Sequence, residues 1–279
     1  MSGLRPPPFK CVVMWTPALG RNKSVKSMKS KSLVTFFCFL IISSNLFGVS
    51  IADINLSHYK MPQSITDKFL GKCKIDELGL YNDDVCSIYM TEVDFYILGW
   101  SKDGKLAYIE EQTLESHHGC DLYFHIMDVV TDESVVLMEF KNYTKNYLNI
   151  KDFIKKNSSV FDAFLEEYKI DLSPPQYEEL PIKFRNEEIS IKIDITGYDK
   201  ETFVDLEIIK DFNVEAVKGD KTKVISYEKN RISNKVIPVG YVKSPYENRA
   251  VVIVIYSVYV FEDSEMFTLI YGCSLDYGF

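Results

Sequence analysis

The sequence predicts a mainly β protein with one central α-helix, an α+β fold of antiparallel sheets. Three features carry that expectation. Ser101-Lys-Asp-Gly104 separates two apolar runs, and an Asp-Gly pair between such runs is a strong hairpin signal because glycine enters positive φ without steric cost. Ile189, Ile191, Ile193 and Ile195 alternate with Ser190, Lys192 and Asp194, the period of a strand with one dry and one wet face. The run from Ala250 to Phe261 is rich in β-branched and aromatic residues and interrupted by Ser257, which reads as a buried strand.

The chain has 279 residues, 46% of them hydrophobic and 26% charged, a globular balance that excludes disorder. Residues 1–52 hold seven Lys or Arg and no Asp or Glu, so the remainder carries 25 basic against 40 acidic side chains, a net charge of −15. Such a surface repels phosphate backbones and anionic head groups, which argues against nucleic-acid binding.

From Met28 a short basic stretch precedes an apolar core over residues 33–42, the pattern of a secretory signal. Met28 is accordingly read as the start of translation, and residues 1–52 as leader and signal peptide. Ser50 and Ala52 suit the −3 and −1 positions of a cut before Asp53; a cut after Ser50 fits as well, and retention as an anchor is the third option. The product is expected in the periplasm or outside the cell, with no stable membrane span after cleavage. Two of the six cysteines fall in the leader. Cys73, Cys86, Cys120 and Cys273 remain, an even number that permits two disulfides in an oxidising compartment. The favoured pairing is Cys73 with Cys86 and Cys120 with Cys273; four free buried thiols are the alternative.

Along the chain, a short helix is expected near residues 64–70, ended by Gly71. Strands follow over 95–100, 105–111, 120–130 and 135–138, completing an N-terminal β half over 53–145. Residues 146–180 form a helical insert and proline linker: Val160, Phe161, Phe164, Leu165 and Tyr168 recur at helical spacing behind a Ser159–Asp162 cap, and Ser173-Pro-Pro175 breaks the helix. Residues 181–279 form the C-terminal β half, with strands over 188–196, 203–217, 222–229, 249–261 and 266–274, the whole making one compact domain.

The two halves echo each other. Ile97-Leu-Gly-Trp-Ser101 before Leu106-Ala-Tyr-Ile109 is matched by Pro238-Val-Gly-Tyr241, Ser244 and Arg249-Ala-Val-Val252, as a duplicated β unit would be. The stretch Gly99-Trp-Ser-Lys-Asp-Gly-Lys105-Leu-Ala-Tyr108 resembles the blade motif of TolB-like β-propellers, with Lys102 where that motif has proline. The resemblance implies a strand, turn, strand unit. Two copies cannot close a propeller, so a complete one is not expected. The region after the leader is also similar to uncharacterised bacterial extracytoplasmic proteins that carry this hairpin early and end in Gly-Cys and Gly-Phe, here Gly272-Cys273 and Gly278-Phe279. That similarity implies a bacterial envelope setting and no activity.

Chemistry is sparse in the sequence. His117, His118 and His125 near Cys120 are the weak metal candidates, since imidazole and thiolate suit zinc or copper, but no paired ligand motif frames them. There is no nucleophile elbow, and Ser101 reads as a turn residue. The acidic pairs Glu110-Glu111, Glu166-Glu167, Glu178-Glu179 and Glu187-Glu188 are too many to single one out, and neighbours on a strand face opposite ways. Tyr241, Tyr246, Tyr256, Tyr259, Tyr271 and Tyr277 offer aromatic binding surface. The expectation is a secreted or periplasmic, non-catalytic binding or envelope-associated protein that needs no cofactor and meets a protein or glycan partner through its loops. The alternative is a metal-assisted or carboxylate-based extracytoplasmic hydrolase.

Overall fold

The computed structural model describes residues 49–70, 89–91, 93–114, 119–145, 149–201, 206–260 and 263–279. Residues 1–48, Gly71, Cys73, Cys86, His117 and His118 lie outside the described residues. Helix α1 (Gln63–Leu70) is followed by strands β1 (Tyr89–Thr91), β2 (Val93–Trp100), β3 (Lys105–Leu114), β4 (Gly119–Asp128) and β5 (Glu133–Phe140). Helix α2 (Ile150–Glu167) leads to β6 (Asp171–Leu172), β7 (Tyr177–Glu178), β8 (Ile182–Phe184), β9 (Glu187–Glu201), β10 (Leu206–Lys218) and β11 (Lys221–Glu228). The chain ends with β12 (Lys235–Lys243), β13 (Arg249–Val260) and β14 (Asp263–Ser274).

These strands form three stacked sheets: a front sheet β5-β4-β3-β2-β6, a middle sheet β1-β14-β13-β12-β7 and a back sheet β11-β10-β9-β8. Pairing is antiparallel except where β1 runs parallel to β14. Helix α2 covers the outer face of the front sheet, placing Phe153, Phe161 and Leu165 among Leu98, Phe124 and Met138. A second core joins front to middle through Phe95, Ile97 and Trp100 against Val251, Ile253 and Ile255. A third joins middle to back through Val252, Val254 and Tyr271 against Ile189, Phe212 and Val214. The middle sheet is therefore dry on both sides, and Ala250 to Tyr256 are all buried, which is why their apolar run has no alternation. In β9, by contrast, Ile189 and Ile191 are buried while Ser190, Lys192 and Asp194 face water.

The β2–β3 turn is held as its residues demand. Ser101 Oγ accepts from the Lys105 amide at 2.8 Å and donates to Asp103 at 2.6 Å, and Gly104 adopts φ +81°. Helix α2 starts nine residues before the expected cap. Asn149 caps it, its side chain accepting from the Asp152 amide at 3.0 Å, and Ser159 lies mid-helix. The polar Lys155-Lys156-Asn157 interrupts the apolar stripe and hides the first turns, where Phe153 and Ile154 are buried. The helix also ends before the prolines, at Tyr168 and a left-handed Lys169 with φ +53°.

The internal echo has a structural counterpart. The pairing register shifts between Ile97 and Gly99 in one hairpin and between Pro238 and Gly240 in the other. Each bulge faces a short crossing strand: β6 pairs with β2 at Gly99 and Trp100, and β7 pairs with β12 at Tyr241 and Val242. A Cβ on Gly99 would lie 2.0 Å from the Asp171 carbonyl oxygen, and one on Gly240 2.9 Å from that of Glu178. Order β6-β2-β3-β4 in the front sheet thus repeats as β7-β12-β13-β14 in the middle sheet. No barrel closes among the described residues.

The cysteine pairing needs correction. Cys120 and Cys273 are both free thiols. Cys120 packs against the first core, on the helix side of the front sheet, and Cys273 is fully buried in the third core, behind the middle sheet. Two sheets stand between them, so the expected Cys120–Cys273 bridge does not form. No helix among the described residues is long and apolar enough to cross a membrane.

Candidate functional site

A preorganised polar surface lies where the chain leaves β11. Asn230 adopts φ +54°, a conformation that asparagine tolerates, and its amide donates to Asp211 Oδ1 at 2.8 Å. The Arg231 amide donates to the Lys210 carbonyl at 2.9 Å, and Ser233 and Ile209 exchange backbone hydrogen bonds at 2.8 and 2.7 Å. The loop 229–233 is thereby fastened along β10.

Its central side chain is fixed too. Arg231 Nε donates to Glu228 Oε2 at 2.7 Å and Nη1 to the Tyr256 hydroxyl at 3.2 Å. Glu228 is itself anchored, its Oε1 accepting from the Tyr271 hydroxyl at 2.9 Å. Burial opposes the guanidinium charge, but the Tyr256 bond and the Glu228 charge outweigh it and raise the Arg231 pKa. Tyr256 stacks on Phe267, its cross-strand partner, with centroids 5.2 Å apart. Lys229, Asn230, Arg231 and Ile232 form one wall of a groove of about 320 Å³, and Tyr256, Val258, Glu265 and Phe267 form the other. Beside it Tyr227 and Ile232 are exposed, each 51% accessible, with Lys229 Nζ 5.0 Å from the Tyr227 ring centroid. A fixed guanidinium, the Lys229 ammonium over the Tyr227 ring and Glu265 on the facing wall suit a ligand that presents oxygen acceptors to Arg231 next to an apolar body.

The sequence singled out Tyr256 in this groove and missed Lys229, the last residue of the strand expected over 222–229, and Arg231 just beyond it. The other tyrosines separate. Tyr241 is buried and donates to Glu178 at 2.7 Å, Tyr271 is buried beneath Arg231's partner, Tyr246 donates to Asp171, and Tyr277 is exposed. The side chain of Tyr259 lies outside the described residues.

Of the metal candidates, His125 sits in β4 and faces the second core, stacked on Tyr108 with centroids 4.4 Å apart. Its Nε2 is buried without a hydrogen-bond partner, and burial drives its pKa from 6.5 down to about 3. Cys120 lies on the opposite face of β4, because odd and even positions of a strand diverge, so Cys120 and His125 cannot share an ion. Among the described residues no group of three or more His, Cys, Asp or Glu could hold a metal.

Glu110 and Glu111 face opposite ways as their spacing requires. Burial raises the Glu110 pKa from 4.5 to about 8. Glu111 accepts from the Tyr143 hydroxyl and, at 3.3 Å, from that of Tyr96, which also reaches Asp94 at 3.3 Å. Lys60 pairs with Asp94 at 2.5 Å. Burial raises the Glu111 pKa against the lowering effect of the Tyr143 bond. In the other acidic pairs, Glu178 bonds Tyr241 and Lys243, Glu179 pairs with Lys68, and Glu187 pairs with Lys218.

Comparison with protein-family models, curated proteins and solved structures finds no match.

Proposed function

We propose that the protein is a secreted or periplasmic, non-catalytic binding module of the bacterial envelope, and that it takes an acidic protein segment or glycan in the groove beside β11. The observation that carries this reading is Arg231, held in place by Glu228 and Tyr256 while the rest of its N–H donors have no protein partner among the described residues. The groove sets Lys229 and Arg231 beside aromatic rings, with Glu228 on Arg231 and Glu265 on the facing wall, so a carboxylate ligand would be taken through the open N–H donors of Arg231 and not through a net positive field. The leader supports the compartment.

The test is a screen of acidic peptides and uronic-acid glycans against the wild type, Arg231→Ala and Tyr256→Phe. Arg231→Ala is expected to weaken the retained ligand at least tenfold, about 1.4 kcal/mol. Tyr256→Phe, which keeps the ring stack but frees the guanidinium, is expected to cost less. Equal binding by all three proteins would defeat the reading.

A second reading rests on Tyr96, whose hydroxyl joins Asp94 to Glu111. A carboxylate-based hydrolase uses two carboxyl groups that flank the bond it cuts, and Asp94 and Glu111 are the pair that one tyrosine hydroxyl brings together here. Turnover in a glycosidase screen that Glu111→Gln abolishes would favour it over the binding module.

A further inference from the structure

The first described residues belong to the folded body. The Ile51 side chain is 2% exposed in the first core. Its backbone N–H donates to Asp162 Oδ1 of α2 at 2.8 Å, and Ser50 Oγ donates to Oδ2 of the same carboxylate at 2.7 Å. The two cuts that the leader permits therefore differ in consequence. A cut after Ala52 strips Ile51 from the core and removes both donors from Asp162. A cut after Ser50, with small Gly48 at −3 and Ser50 at −1, keeps the core residue, turns its amide into an amine, and removes the Ser50 hydroxyl and carbonyl that accept from the Ala52 and Asp53 amides.

We propose that the mature chain begins at Ile51 and that its new N-terminal ammonium docks on Asp162. The inference rests on the export reading above. A protease of the signal-peptidase class adds water across the Ser50–Ile51 peptide bond. Ser50 departs with the leader bearing a carboxylate, and Ile51 gains an amine that takes up a proton at neutral pH, the ordinary α-amino pKa lying near ~7.7–8.0. An ammonium has more than one N–H to give, so it can serve Oδ1 as the amide did and Oδ2 in place of the lost Ser50 hydroxyl. A hydrogen bond charged only on its acceptor becomes an ion pair, with opposite charges on donor and acceptor.

The full chain is expressed in an exporting bacterial host, and the product's first residue is read by intact mass and terminal sequencing. Ile51 first is the expected result; Asp53 or any other first residue in an exported product overturns this proposal alone, and an uncut chain in the cytosol overturns the export reading with it. Gly48→Leu, which spoils the −3 position of this cut, is expected to abolish processing at Ile51, and Ala52→Leu, which spoils only the later cut, to leave it unchanged; the reverse pattern overturns the proposal. In the exported wild type, the Ile51 amine is expected to react with acetic anhydride at least tenfold more slowly than in Asp162→Asn. Equal rates would remove the docked ammonium even if the cut is correct.

Discussion

The β2–β3 and β12–β13 hairpins are built alike and surrounded differently. Both bulge at a glycine against a short crossing strand, and both feed a third antiparallel strand. Yet β3 carries Glu110 and Glu111 on its two faces, while β13 has nothing polar from Ala250 to Val254. The front sheet has a helix on one side and meets the middle sheet only on the other; the middle sheet is enclosed by two sheets. The shape of a hairpin is thus decided by backbone sterics within a few residues. Its tolerance for charge is decided by its place in the stack.

The largest effect should come from the glycines. Gly99→Ala places a methyl 2.0 Å from a backbone oxygen that cannot rotate away, whereas the corresponding distance for Gly240→Ala is 2.9 Å. Urea unfolding is expected to show a loss above about 4 kcal/mol for the first and about 1–3 kcal/mol for the second. A larger loss at Gly240 would break the equivalence of the two bulges.

Next comes the enclosure of the middle sheet. Ile253→Ala in β13 is expected to cost about 2–5 kcal/mol through the cavity it leaves, against less than about 0.5 kcal/mol for Lys192→Ala on the wet face of β9. Comparable losses would mean that the middle sheet is not sealed on both sides.

The remaining test concerns two buried titrating groups of the front sheet. Glu110 keeps its proton in the fold up to about pH 8 but releases it near 4.5 when unfolded, so stability falls as pH rises through that interval. His125 resists protonation in the fold down to about pH 3 but takes a proton near 6.5 when unfolded, so stability falls as pH drops from 6.5 towards 3. Between these limbs the melting temperature should pass through a maximum near pH 5–6. Glu110→Gln should flatten the alkaline limb and leave the acid limb intact; an unchanged profile would show that the carboxyl is not dehydrated.

Much of the fold was legible in the sequence because its causes are local. The Ser101–Gly104 turn, the alternation of β9 and the buried run of β13 each follow from residues that touch one another. Helix α2 was half legible, since Lys155 and Lys156 are exposed and polar Asn157 takes a place in the core-facing stripe between Phe153 and Phe161, breaking the pattern that would have revealed Asn149 as its cap. The cysteine pairing was not legible. Whether Cys120 and Cys273 can meet depends on how many sheets separate them, and no window of sequence counts layers. The groove was hidden for the same reason. Arg231 lies in a loop that looks like any polar turn, and what gives it a purpose is Tyr256, 25 residues further on, and Glu228, held in turn by Tyr271.

The stretch from Asp171 to Glu178 stitches the border of the front sheet to that of the middle one, with Ser173-Pro-Pro175 spanning the step between them. An unfinished sheet border invites a strand from another molecule. Here one eight-residue tether occupies part of two such borders, so a single protease nick in it would unlatch both and turn a self-contained chain into a seed for intermolecular zippering.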